Sequence, residues 1–152
     1  TAAQTAGAIT RYVGIIVYAS LYANHPWRDN GLGLFDFMSG GWPRYRTWQD
    51  AWFNILAYLP LGFLLTLSPT HRPSPWARVA IPLALGFALS ASMEALQTFI
   101  PGRVSSSLDL FFNTLGTLSG AYYRSSAAPI YWLPPVASVN DSVSADSARK
   151  PG

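Results

Sequence analysis

SMEALQTFIPGRVSSSLDLFFNTLG, residues 92–116, decides how this chain is read. It joins two apolar runs, yet it carries Glu94, Gln97, Arg103, Asp109 and Asn113, side chains that segments facing lipid normally exclude. The link PGRVSS is short, so the runs on either side of it are antiparallel helical neighbours. Pro101-Gly102 supplies the favoured central residues of a type II turn. Residues three or four apart share a helix face, so Ser90, Glu94 and Gln97 form one polar stripe. Asp109 and Asn113, continued by Gly116 and Gly120, form a second.

Composition sets the frame for these stripes. Of 152 residues, 50% are hydrophobic, 14% aromatic and only 11% charged, against about 25% charged in ordinary soluble domains. Four apolar segments stand out, roughly Ile9 to Ala23, Asp50 to Leu67, Val79 to Ile100 and Leu108 to Tyr122. The first and last are short for a span of about 20 residues and need a turn from their flanks. The expected fold class is all-α, an integral membrane bundle of about four transmembrane helices over residues 1–124, followed by a Pro/Ser/Ala-rich tail over 125–152 that is partly disordered. The region between the first two segments, rich in Gly, Pro and aromatics, reads as an irregular loop at the membrane interface, with Trp42, Trp48 and Trp52 in an aromatic belt.

The same composition excludes several functions. There is no cysteine, which removes disulfides, thiolate nucleophiles and Cys-based metal sites. His25 and His71 are loop residues without a second ligand at metal spacing, so no metal site is expected. The formal charge of +3 comes from cations spread thinly along the chain, which favours anionic lipid head groups and excludes nucleic acid as a partner. No serine has a placed base, so a catalytic triad is unsupported. The sequence names no cofactor.

With four alternating spans, the first loop and the PGRVSS turn share one side, and both termini share the other. Arg11, Arg72, Arg78, Arg124, Arg149 and Lys150 on the terminal side make it cytoplasmic by the positive-inside rule. The expected location is therefore a bacterial inner membrane with cytoplasmic termini. Asp50, Glu94 and Asp109 all lie at helix ends facing the opposite side. Asp50 and Asn54, with Tyr58 continuing their face, add a third stripe at the same level as the other two. The GTLSG run of the last helix is a small-xxx-small face that lets a neighbour approach closely and turns the stripe inward.

Each residue also has a structural reading. Ser106 to Asp109 fits S-x-x-D, in which Ser106 caps the last helix and Asp109 is a first-turn acid. Asp50 is likewise a first-turn acid, and Asn54 and Asn113 serve as interhelical hydrogen-bonding groups. Tyr58-Leu59-Pro60 marks a kink whose freed carbonyl is satisfied by a neighbour. Glu94 and Gln97 lie at no helix start, which favours a functional role for them and for Arg103 if it pairs with them.

At these residues the chain resembles the VanZ-like membrane protein family, named for a member linked to low-level resistance to the glycopeptide teicoplanin. The resemblance covers roughly Tyr12 to Tyr122. It rests on an acid and an Asn ahead of Pro-x-Gly (Asp50, Asn54, Pro60, Gly62), then Glu-x-x-Gln (Glu94, Gln97), Pro-x-Arg (Pro101, Arg103) and Asp-x-x-x-Asn-x-x-Gly (Asp109, Asn113, Gly116). It implies a helical membrane domain of the cell envelope and brings no agreed catalytic residues or cofactor. The ligand-binding residues expected are Glu94, Gln97, Arg103, Asp109, Asn113, Asn54 and Asp50, gathered around a polar head group or glycopeptide-related molecule at the outer interface. The alternative is a structural subunit of a larger membrane complex, whose partners are the bilayer and other membrane subunits. Whether the chain is an enzyme is left open, since Glu94 and Asp109 form an acid/base pair only if a dry pocket brings them together.

Overall fold

The computed structural model describes residues 1–23, 26–40, 48–67, 74 and 76–127. Among these the chain is all-helical, with α1 (Ala2–Leu21), α2 (Asp36–Ser39), α3 (Trp48–Thr66), α4 (Ala77–Gln97) and α5 (Ser107–Ser126). The four apolar segments of the sequence thus correspond to α1, α3, α4 and α5. The two short ones do gain length: α1 and α5 each have 20 residues. α1 begins earlier than its hydrophobic pattern because Ala2, Ala3 and Gln4 are strong helix formers even where they are polar or small. Trp42, Arg44, Arg46, His25, His71, Arg72 and the tail beyond residue 127 lie outside the described residues, and α5 runs two residues past the expected domain boundary.

Close backbone contact holds the bundle together. α3 and α5 form its most extensive helix pair. A Cβ at Gly116 would meet the Ile55 backbone, one at Gly120 the Leu59 and Phe63 backbones, and one at Gly62 the Thr117 and Ala121 backbones. Only hydrogen at these positions lets the two helices touch main chain to main chain, as the GTLSG face anticipates. Pro60 lies inside α3 and deprives the Leu56 carbonyl of its donor. The adjacent Ala57 carbonyl, rather than that of Leu56, accepts from Tyr12 Oη of α1 at 2.9 Å.

The segment expected to be an irregular interfacial loop is irregular over most of its described part, and it packs on the bundle. It includes α2, whose Phe37 is buried against Ala95 and Leu110. Arg28 N donates to Phe99 O at 2.9 Å, and Asn30 Nδ2 donates to Thr98 O at 2.8 Å. Those two carbonyls end α4, where intrahelical donors have run out. Residues 26–40 therefore cover the α4–α5 end of the bundle.

Among the described residues the interior mixes apolar and polar side chains, and much of the exterior is apolar. Ser90, Glu94, Gln97, Asp109, Asn113 and Thr117 are buried, while Trp52, Phe53, Leu56, Ile81, Leu85, Phe87 and Phe111 are exposed. The apolar core falls into two small clusters, Ile16, Tyr58, Leu61 and Met93 in one and Phe37, Ala95 and Leu110 in the other. Of the described helices, one combines the length and composition to cross a membrane, α4, with 21 residues at a mean hydropathy of 1.7. The composition criterion is met once rather than four times because α3 and α5 carry their polar stripes within the span length, which lowers their mean hydropathy.

Candidate functional site

The turn that opened the sequence reading builds the site. Arg103 N donates to Ile100 O at 3.1 Å, and Gly102 has φ +84°, the value a type II turn requires of its third residue. Ser106 then caps α5 by accepting from Leu108 N at 3.1 Å. Glu94 Oε2 accepts from the buried Ser106 N at 2.8 Å, and the Glu94 carbonyl accepts from Ser105 Oγ at 2.6 Å. Glu94 thereby fastens the end of α4 to the start of α5, and its carboxylate faces the positive end of α5.

The remaining polar residues act between helices. Asn54 Nδ2 of α3 donates to Asp109 Oδ1 of α5 at 2.6 Å, so Asp109 is an interhelical acceptor as well as a first-turn acid. Asn113 Nδ2 donates to Ser90 Oγ of α4 at 2.9 Å. Gln97 Nε2 donates to Ser20 O at 3.2 Å, and Arg103 Nη2 donates to Ala19 O at 3.0 Å. Both of these carbonyls belong to the last turn of α1, which lacks its own donors and carries a partial negative charge that suits a guanidinium.

These side chains surround one cavity of about 300 Å³. All seven residues singled out in the sequence, Asp50, Asn54, Glu94, Gln97, Arg103, Asp109 and Asn113, line it together with Ile16, Ala19, Ser20, Phe53, Ala57, Tyr58 and Met93. The stripes of α3, α4 and α5 therefore do meet at one level of the bundle. Sequence reasoning missed two parts of the wall. α1 contributes chiefly through main-chain carbonyls, which leave no trace in side-chain periodicity. Tyr58, only 3% exposed, reads in sequence as part of a kink, and its place on the Asp50–Asn54 face was the one signal pointing here.

Two buried polar atoms of this wall, Asn113 Oδ1 and Tyr58 Oη, make no hydrogen bond of good geometry, although Ser90 stands near the Tyr58 hydroxyl. Such atoms cost about 1–3 kcal/mol when left unpaired. A second cavity of about 310 Å³ lies under residues 26–40, lined by Asn30, Leu32, Gly33, Asp36, Phe37, Thr98, Arg103, Val104 and Ser105. Arg103 borders both.

The sequence model of the VanZ/LLP1 family matches residues 5–126. This chain belongs to the VanZ/LLP1 family. The match runs from the first turn of α1 to the end of α5 and includes every residue of the cavity wall. No curated protein and no solved structure matches the chain. In this VanZ/LLP1 protein the site is a hydrogen-bonding chamber with carboxylates and a guanidinium on its wall. Among the described residues no group of three or more His, Cys, Asp or Glu side chains lies close enough to hold a metal ion. Glu94 and Asp109 both line the chamber, and each accepts a hydrogen bond from the protein, from Ser106 N and Asn54 Nδ2.

Proposed function

We propose that this VanZ/LLP1 protein is an integral protein of the bacterial cytoplasmic membrane, crossing it with α1, α3, α4 and α5 and keeping both termini inside. Its cavity, near the outer face, binds a polar head group or a glycopeptide-related molecule. One observation carries the reading: seven polar side chains from three helices and a turn line a single chamber, in a bundle whose exposed surface is rich in large apolar residues. Lipid is the solvent that suits such a surface, and a chamber with unpaired polar atoms suits a polar guest. Arg103 contacts the anionic part of that guest, and Glu94, Gln97 and Asn113 exchange hydrogen bonds with it.

The binding test is thermal melting of the full chain in mild detergent with teicoplanin and with short-chain phosphatidylglycerol and phosphatidylethanolamine as probes. Protection by any probe that disappears in Glu94→Ala and Arg103→Ala supports the reading; protection unchanged in both variants, or absent throughout, refutes it. Topology is tested separately. The chain has no cysteine, so single replacements report alone. Val104→Cys is expected to react with a membrane-impermeant maleimide from outside and Ser126→Cys only after permeabilisation, and equal labelling from one side would refute the four-span arrangement.

A second reading is favoured by the bonds within the site. Glu94, Gln97, Asp109 and Asn113 each join one part of the bundle to another, as they would if the cluster only locked the helices of a structural subunit in a larger membrane complex. Purification from native membranes in mild detergent separates the two, since a stoichiometric partner chain favours the subunit.

A further inference from the structure

The inner cavity has its mouth on one side. α4 and α5 give its wall Met93, Glu94, Gln97, Asp109 and Asn113, and all five are buried. The exposed residues of the same wall are Ala19 of α1, Phe53 and Ala57 of α3, and Arg103 of the turn. Among the described residues the chamber therefore opens between α1 and α3. Tyr12 Oη reaches from α1 to the Ala57 carbonyl at 2.9 Å and bounds the opening towards the middle of the two helices. Ala19 and Ala57 carry only a methyl group each, which keeps the rim low.

The surroundings of this mouth are apolar. Residues three or four apart share a helix face, so Ala19 stands with Ile15 and Tyr22, and Phe53 with Leu56 and Ala57. Ile15, Tyr22, Phe53 and Leu56 are all more than half exposed, at 61%, 55%, 70% and 57%. Such a rim suits acyl chains rather than water. Arg103 is the exception. Its Nη2 donates to Ala19 O at 3.0 Å, which holds the guanidinium beside the opening, and its other N–H groups suit a phosphate. The cavity of about 300 Å³ is at the small end of ligand pockets, which run from about 300 to 1,000 Å³. It has room for a head group and leaves the chains outside.

We propose that the chamber is loaded sideways from the bilayer by a phospholipid, whose head group passes between α1 and α3 while its acyl chains stay outside against Ile15, Tyr22, Phe53 and Leu56. Its phosphate lies at the mouth, on Arg103. The assignment rests on the head-group reading above and narrows it from any polar molecule to one anchored in the membrane. A water-soluble molecule would have to shed its hydration at an apolar rim before it met the polar wall. A lipid arrives with its chains already on that side.

The experiment places the full chain in nanodiscs that hold traces of phosphatidylglycerol or phosphatidylethanolamine with a photoactivatable diazirine on the acyl chain. After irradiation, mass spectrometry maps the adducts. Lipid that only coats the protein labels exposed apolar surfaces alike, so Ile81, Leu85 and Phe87 of α4, at 53%, 52% and 43% exposure, are the internal standard. The expected result for at least one of the two lipids is about tenfold more adduct on Ile15, Tyr22, Phe53 and Leu56, the preference that one bond to the guanidinium supplies. Ala19→Trp and Ala57→Trp, both at exposed positions, are expected to bring that ratio near unity by filling the mouth. Ala88→Trp, on the exposed face of α4, is expected to leave it unchanged. Ala19→Leu and Ala57→Leu give the same test should a tryptophan variant fold poorly. Adducts spread evenly over α1, α3 and α4, or a concentration that survives every blocking variant, overturns the side entry. Even labelling together with lipid protection in thermal melting that is lost in Arg103→Ala leaves the head-group reading standing; even labelling without protection by any probe overturns both. Protection by deacylated glycerophosphoglycerol as strong as by short-chain phosphatidylglycerol also overturns the assignment, because the chains then contribute nothing.

Discussion

Replacing Gly116 with alanine tests whether main-chain contact between α3 and α5 holds the site together. A Cβ at Gly116 would lie 3.0 Å from both Ile55 C and Ile55 Cα and closer still to Ile55 O. None of these is the movable tip of a side chain, so α3 has to back away. It would do so beside Asn54, whose 2.6 Å bond to Asp109 spans the same interface. Overpacking of this kind costs about 1–3 kcal/mol, and stretching an interhelical bond in a membrane protein adds about 0.6–1.7 kcal/mol. Alanine returns about 1 kcal/mol through its better helix propensity. The net expectation is a loss of about 2 kcal/mol, roughly a 30-fold shift in the unfolding equilibrium. Gly14 is the control, because nothing lies within 4 Å of its added Cβ; Gly14→Ala is expected to stabilise by up to about 1 kcal/mol. Reversible unfolding of the full chain in mixed micelles, titrated with denaturing detergent, measures both. A Gly116→Ala variant as stable as the wild type, or shifted in the same direction as Gly14→Ala, would refute the packing argument.

Further substitutions probe the turn and its fastenings in the same unfolding assay. Ser106→Ala removes the acceptor for Leu108 N and is expected to cost about 1 kcal/mol, as cap deletions do; no loss would mean water or another group replaces the cap. Glu94→Leu leaves the buried Ser106 N without the carboxylate it donates to, for a loss of about 1–3 kcal/mol, while Glu94→Gln keeps an acceptor there and is expected to lose far less. Equal losses in the two would show that the charge, rather than the hydrogen bond, secures the turn. Gly102→Ala forces a side chain into φ +84° and is expected to lower stability by about 1–2 kcal/mol, so an unchanged midpoint would show that the turn relaxes freely.

Much of this site was legible in the chain itself. Polar residues at helical spacing marked the inner faces of α3, α4 and α5, and Pro101-Gly102 before a serine run gave both the turn and the cap. Residues 26–40 are largely irregular, as Gly, Pro and aromatic residues signal, but that composition does not say what the segment packs against. Phe37 shows the difference. In sequence it is one aromatic among several in a loop, and in the fold it is buried on Ala95 and Leu110.

The sequence by itself determined the all-helical class, the four long helices, the polar faces of α3, α4 and α5 and the membership of the VanZ/LLP1 family. Tertiary structure alone decided who meets whom: Asn54 with Asp109, Asn113 with Ser90, Glu94 with the start of α5, and Gln97 and Arg103 with the end of α1. The physical reason is that a residue's spacing fixes which side of its own helix it occupies, whereas its partner depends on how closely helices approach. That approach is set by hydrogen atoms at Gly62, Gly116 and Gly120 and by main-chain carbonyls that every residue type carries alike.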